Sequence, residues 1–250
     1  EAPVIYDRER TVQALGNMQL VMHNMGYLNA EVFLQETTKK NRIKINYHIV
    51  PHEQYKIRNL TLNVQDEALE QTLDSLDYRP AISSETGVGS KTYSANELDA
   101  ERSRIYDLLI ENGYYKFNKE YVHFRVDTTL GHHLADVEMI VKKAQNEVDS
   151  TDYSHHRFHI GNINYEQISD KPFLRPKVLR NATAIGNGQL YRESKMHETY
   201  ARMSRLSAVA AANVHVSPRT DGSDTLDVNI SLTPNKRNSF SAELEGTNSA

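Results

Sequence analysis

Apolar and polar residues alternate in three stretches of this chain, broken only at Ile140: Ile43-Lys44-Ile45-Asn46-Tyr47-His48-Ile49, Ala135-Asp136-Val137-Glu138-Met139-Ile140-Val141 and Leu226-Asp227-Val228-Asn229-Ile230-Ser231-Leu232. A period of two predicts strands with one buried face. Taking Ile45, Val137 and Val228 as equivalent, the spacings are 137 − 45 = 92 and 228 − 137 = 91 residues. That period is too long for most solenoid repeats and fits a series of small, similar domains. It argues against one large enzyme core and places function in domain edges and domain order.

The stretch before the second alternating strand is the most complete. Tyr55 to Leu62 reads as a strand, and Glu67 to Leu76 as a short helix with Leu69, Leu73 and Leu76 on one face. Arg79-Pro80 stops that helix, and Ser83 to Ser90 reads as a Gly/Ser-rich loop. A second helix starts at a cap, Ser94 or Asn96, carries Leu98, Ile105, Leu108 and Leu109 on one face, and ends at Asn112-Gly113. Glu120 to Asp127 then alternates before Leu134 to Val141 closes the unit, giving the order βααββ.

The third unit repeats this order. Phe158 to Ile163 matches Tyr55 to Leu60, Leu174 to Ala182 and Glu193 to Leu206 form helices, and Asn213 to Val216 and Leu226 to Leu232 form strands about an Asp221-Gly222 turn. The first unit begins only at its second helix. Asp7 caps a helix with Leu15, Met18, Met22 and Met25 on its core side, Gly26 ends it, and Ala30 to Leu34 and Ile43 to Ile49 are strands. Its opening strand and first helix are expected upstream, in a longer protein. From Tyr6 to Gly26 and from Tyr93 to Gly113 the count is 20 residues, whereas 20 residues past Tyr191 the third unit has Ala211-Ala212. The expected domains are therefore 1–51 (partial), 53–144 and 156–235. Residues 237–250 form one further amphipathic strand, with Phe240, Ala242, Leu244 and Gly246 alternating against polar residues.

Composition narrows the chemistry. The chain has 250 residues, 38% hydrophobic and 25% charged, and no cysteine, so disulfides, thiolate nucleophiles and thiolate metal sites are excluded. A net charge of −4 offers no basic footprint for nucleic acid. No stretch approaches the ~20 apolar residues of a membrane helix; the most apolar window, Ser207 to Val216, is short and followed by Pro218.

Tandem βααββ units followed by an amphipathic strand resemble the POTRA arrays of the BamA/TamA family of outer-membrane assembly proteins, closest to the TamA-like branch. The segments that carry the resemblance are Ala2-Pro3-Val4-Ile5-Tyr6-Asp7, Glu111-Asn112-Gly113-Tyr114-Tyr115, Leu174-Arg175-Pro176, Gly188-Gln189-Leu190-Tyr191 and Glu243 to Ala250. The resemblance implies an α+β fold of tandem POTRA-like domains, each a small sheet covered by two helices, ending in the first strand of a β-barrel. It implies a non-enzymatic array at the periplasmic face of the bacterial outer membrane. Its partners would be unfolded outer-membrane protein clients, periplasmic or inner-membrane assembly proteins, and the membrane itself through the barrel. No nucleic acid and no cofactor is expected.

Within that family an exposed sheet edge accepts an added strand. The candidate edge is Tyr121, Val122, His123, Phe124, Arg125 and Val126, on the second strand of the second unit; the alternative is an ordinary edge blunted by His123 and Arg125. A rigid docking arm for a separate envelope protein is the competing function. Histidines at 132, 133, 155, 156 and 159 raise a metal hypothesis, but adjacent histidines in polar turns rarely converge on one ion. Phosphate-loop, nucleophile-elbow and zinc-protease motifs are absent. Three Asn-x-Ser/Thr sequons, at Asn59, Asn181 and Asn229, would matter only in a eukaryotic secreted protein.

Overall fold

The computed structural model describes residues 5–82, 91–129, 131–145 and 151–235. The chain divides into two compact units, residues 1–107 with 118–155, and residues 108–117 with 156–250.

In the first unit, the Asp7 carboxylate accepts the N–H groups of Glu9 and Arg10 and starts α1 (Arg8–Asn24). Gly26, at φ +92°, ends it: Gly26 donates to His23 and Tyr27 to Met22, a left-handed termination. β1 (Glu31–Lys39) and β2 (Arg42–Val50) follow as an antiparallel hairpin turned at Lys40, which takes φ +54°. β1 is longer than the expected 30–34. Leu15, Met18 and Met22 are half-buried, but Met25, at the end of α1, is exposed and not part of the core. Among the described residues, β2 pairs with β1 alone.

The unit continues through β3 (Lys56–Val64), α2 (Glu67–Ser75), β4 (Lys91–Thr92), α3 (Ala95–Glu111), a 3-10 turn (Lys119–Tyr121), β5 (Val122–Asp127) and β6 (Leu134–Val141). The sheet order is β4-β3-β6-β5, with β6 central, parallel to β3 and antiparallel to β5. Ser94 is the cap that α3 uses, through the N–H of Glu97. α2 ends at Ser75, before Arg79-Pro80, because Asp77 turns left-handed at φ +47° and Tyr78 bonds back to Leu73. The expected loop from Ser83 to Ser90 lies outside the described residues. Ile57, Ile82, Leu98 and Val137 form a core cluster, with Leu60, Tyr93, Phe124 and Val126 packed against it. A short ladder of β7 (Ala144–Gln145) and β8 (Asp152–Tyr153) closes the unit.

The second unit contains β9 (His159–Gln167), α4 (Pro176–Ala182), α5 (Glu193–Ser204), β10 (Val209–Pro218) and β11 (Thr225–Pro234). The order is β10-β11-β9, again with the last strand central, parallel to the first and antiparallel to the second. Leu226, Val228, Ile230 and Leu232 of β11 are fully buried, as their alternation requires. The parallel pairs of both units slip by one residue at the same place, at Arg58 in β3 and at Gly161-Asn162 in β9.

α5 begins at the expected Glu193 and ends two residues before the expected Leu206. It has 12 residues where α1 and α3 have 17. The third repeat therefore does not replace a glycine with alanine at a shared position. Its helix stops earlier, and Ala211-Ala212 already lie in β10. The amphipathic strand expected at 237–250 lies outside the described residues.

Candidate functional site

Antiparallel ladders bond alternate residues inward, so every second residue of an edge strand turns its N–H and C=O outward. Tyr121 accepts from the Lys142 N–H, which fixes the phase for β5: Tyr121, His123, Arg125 and Asp127 bond towards β6, and Val122, Phe124 and Val126 present their backbone groups at the open edge. The six residues expected as the edge thus divide. Tyr121 belongs to the 3-10 turn, and its ring stacks edge-on against His155 at 4.7 Å. The outward Val122 carbonyl is occupied by Arg102 Nε at 3.0 Å. Phe124 and Val126 form the open stretch.

The charges on β5 are partly silenced. Burial, then Lys142 and Arg102, push the His123 pKa down, so the ring is neutral near pH 7. Arg125 is tied to Glu138 on the neighbouring strand. Glu138 also accepts from Asn63 at 2.8 Å, and these bonds, Asn63 first and then Arg125, hold its carboxyl below the usual range. Asp127 is lowered by the N–H and hydroxyl of Thr129. Arg125, Val126 and Asp127 border a shallow polar cavity of about 440 Å³ that Asn59, Thr61, Asp136 and Glu138 also line.

Sequence reasoning missed a longer edge. β10 occupies in the second unit the place that β5 holds in the first, and its ten residues, Val-Ala-Ala-Ala-Asn-Val-His-Val-Ser-Pro, include no Lys, Arg, Asp or Glu. Its phase is set by Arg219, which bonds inward to Thr225, so Ala212, Val214 and Val216 face outward. The Tyr115 hydroxyl reaches the Val216 carbonyl at 3.4 Å, Pro218 ends the strand, and Ala210 sits in a bulge. The open stretch is Ala212 to Val214. Sequence reading saw only 213–216 as strand, because alanines blur the alternation; the signal that could have found it is the spacing Val209, Ala212, Val214, Val216 across one bulge residue.

The histidines are dispersed among separate pairings. His133 Nδ1 meets Glu53 at 2.8 Å, His156 Nδ1 meets Asp224 at 3.0 Å, and buried His155 donates its backbone N–H to Asp66 at 2.7 Å. Among the described residues no three His, Cys, Asp or Glu side chains form a group that could hold a metal. A further open cavity of about 900 Å³ beside β2, lined by Ile5, Arg10, Ile43, Ile45 and Tyr47 among others, gathers no catalytic set. No described helix is long and apolar enough to cross a membrane.

Two small sheets, each with its last strand central and its second strand at the margin, define tandem βααββ repeats. The structure is similar to that of BamA from Haemophilus ducreyi lacking POTRA domains 1–3, with a TM-score of 0.52 and 15% identity over 72% of this chain and 30% of that one. Haemophilus influenzae BamA POTRA3–5 aligns over 93% of this chain and 84% of that one at 15% identity and TM-score 0.48. POTRA1–3 of Omp85 from Anabaena aligns over 95% and 85% at 9% identity and TM-score 0.35. No protein-family model and no curated protein matches the chain. The fold is α+β, of tandem POTRA type.

Proposed function

We propose that the chain is a non-enzymatic periplasmic array of an outer-membrane protein, which helps to insert, assemble or translocate outer-membrane proteins by adding extended client strands to its sheet edges. The division proposed with it is 1–51, 53–144 and 156–235. The observation that carries the reading is the recurrence of one open edge in both complete sheets, with Phe124 and Val126 outward on β5 and Ala212 and Val214 outward on β10. Each backbone hydrogen bond contributes about 0.5–1.5 kcal/mol net. Four or so such bonds, less the cost of ordering the client, give weak and sequence-tolerant binding. That suits a transient handler.

The alternative, a docking arm whose edges stay unused, is favoured by one feature: Arg102 already fills the Val122 carbonyl and stacks over Phe124 at 5.5 Å. Titration with a synthetic barrel-strand peptide separates the two. Client handling predicts amide perturbations at Phe124, Val126, Ala212 and Val214; perturbations confined to loops, or none, would favour the arm. Proline at Ala212 deletes an outward N–H and leaves the ladder to β11 intact, so it should weaken peptide binding in a folded protein. Undiminished binding by that variant would remove β10 as an acceptor.

A further inference from the structure

The last turn of α3 and the loop after it, residues 108–117, are grouped with residues 156–250. The chemistry of that segment explains why. Helix N-termini expose N–H groups that need an acceptor. α1 is capped by Asp7 and α3 by Ser94. At the corresponding place α5 has Arg192, which makes no side-chain capping bond. The acceptor comes instead from Glu111, the last residue of α3, whose carboxylate takes the Ser194 N–H at 3.0 Å and the Ser194 hydroxyl. Its negative charge also lies at the favourable end of the α5 dipole.

Two residues further on, a backbone relay continues the joint. The Gly113 carbonyl accepts the Phe158 N–H at 2.8 Å, and the Phe158 carbonyl accepts the Tyr191 N–H at 2.8 Å. Tyr115 packs edge-on against Phe158 and Tyr191, at 5.9 and 5.1 Å between ring centres. Gly113 sits at φ +96°, and a Cβ there would stand 2.6 Å from Leu190 Cδ1. The first unit holds the same relay: Gly26 accepts from Tyr55, and Tyr55 from Tyr93, both at 2.9 Å. Two residues before Gly26 stands Asn24, and α3 has its own Ser94, so no borrowed cap is needed there.

We propose that Glu111 is the N-terminal cap of α5, supplied by the preceding helix, and that the exit of α3 is a structural part of the repeat that follows it. The relay passes each repeat's helix exit to the first strand and the tyrosine of the next. Glu111 adds a side-chain cap where the third repeat has none of its own. The assignment is independent of what the strand edges bind.

The test is a double-mutant cycle in the full chain, read by amide exchange in α5. Glu111→Ala should speed exchange of the amides from Met196 to Met203 roughly fivefold, the usual value of a cap. Arg192→Ser restores a local cap, so it should recover most of the loss in the Glu111→Ala background and add little to the parent. If Glu111→Ala alone fails to fold, refolding of the double variant is the same rescue. Unchanged α5 exchange in Glu111→Ala, or an equal effect of Arg192→Ser in both backgrounds, would overturn the assignment. So would a double variant that stays unfolded.

Discussion

Asp136 and Asp227 hold the same place on the central strands of two sheets, and each is clamped by an arginine from a different direction. Arg58, in the β3 bulge, forks onto Asp136, with Nε at 2.8 Å from Oδ1. At the matching bulge β9 has Gly161, and Asp227 is held by Arg219, which follows β10, while it also accepts the Asn162 N–H at 2.7 Å. The carboxylate is the shared element, and the cation has moved. A Cβ on Gly161 would stand 2.5 Å from Asp227 Oδ1, 2.6 Å from Thr225 Cγ2 and 2.8 Å from the Arg219 guanidinium, so a side chain there would have to displace this ion pair.

This arrangement sets an acid limit. Arg58 lowers the carboxyl pKa of Asp136, and Arg219, then the Asn162 N–H, lower that of Asp227. Carboxyls held low in the folded state stabilise it fully above their unfolded values, near pH 4, and the contribution is lost as pH falls through the depressed folded values. Thermal midpoints should therefore decline below about pH 4. Asp136→Asn and Asp227→Asn should lower the midpoint at neutral pH and flatten the decline. Parallel profiles for parent and variants would contradict the assignment.

Gly26 and Gly16 should respond to alanine with opposite signs. Gly26 is at φ +92°, and an added Cβ would collide with the Tyr93 carbonyl oxygen, which is backbone and cannot swing away. Gly16 lies within α1 with nothing within 4 Å of a new Cβ. Gly16→Ala should stabilise by about 0.5–1 kcal/mol. Gly26→Ala should destabilise by more than about 1 kcal/mol, since it combines strain with a clash. Urea unfolding of the two variants side by side measures the contrast.

The central strands β6 and β11 were legible because Val137 and Met139, and Leu226, Val228, Ile230 and Leu232, are buried at period two. β2 has the same alternation, but its Ile43 and Ile49 are exposed, so the expected buried face is not formed there. The glycine exits were legible too, since Gly26 and Gly113 mark left-handed helix ends in an equal count from their tyrosines. β10 was half hidden because alanine is a poor strand former, and only pairing with β11 commits Val209 to Ala212 to the sheet. α5 was legible to within two residues, Glu193 to Leu206 against Glu193–Ser204, although no glycine marks its end. Glu111 as the acceptor for Ser194 spans 83 residues, and no sequence period encodes such a contact. The outward phase of β5 likewise follows from one backbone bond, Lys142 to Tyr121, that composition cannot supply.

Asp66 should prove costlier to remove than an ordinary cap. It is fully buried, with one oxygen accepting the N–H groups of Ala68 and Leu69 and the other accepting the His155 N–H at 2.7 Å. Asp66→Ala removes the α2 cap, worth about 1 kcal/mol, and strands a buried N–H for about 1–3 kcal/mol more. A loss of roughly 2–4 kcal/mol is expected, with Asp66→Asn recovering part through its remaining acceptor. Chemical denaturation gives the values; a loss below about 1 kcal/mol would mean that His155 finds another acceptor.

The absence of charge on β10 leads to the last expectation. Edge strands that avoid association usually carry lysine or proline in mid-strand, and β10 has neither between Val209 and Ser217. Asn213 bonds inward to β11 and is exposed, so a lysine there leaves the ladder and the core in place. Any strand added outside β10 would have to desolvate that ammonium or place its own side chains around it. Asn213→Lys should therefore weaken strand-peptide binding several-fold and suppress concentration-dependent self-association in sedimentation, with the thermal midpoint within about 2 °C of the parent. The same charge on β5 should matter less, because Arg125 is already there and is bound to Glu138. If Asn213→Lys leaves both peptide affinity and self-association unchanged, β10 is not the acceptor, and the shorter edge at Phe124 and Val126 must carry any strand addition.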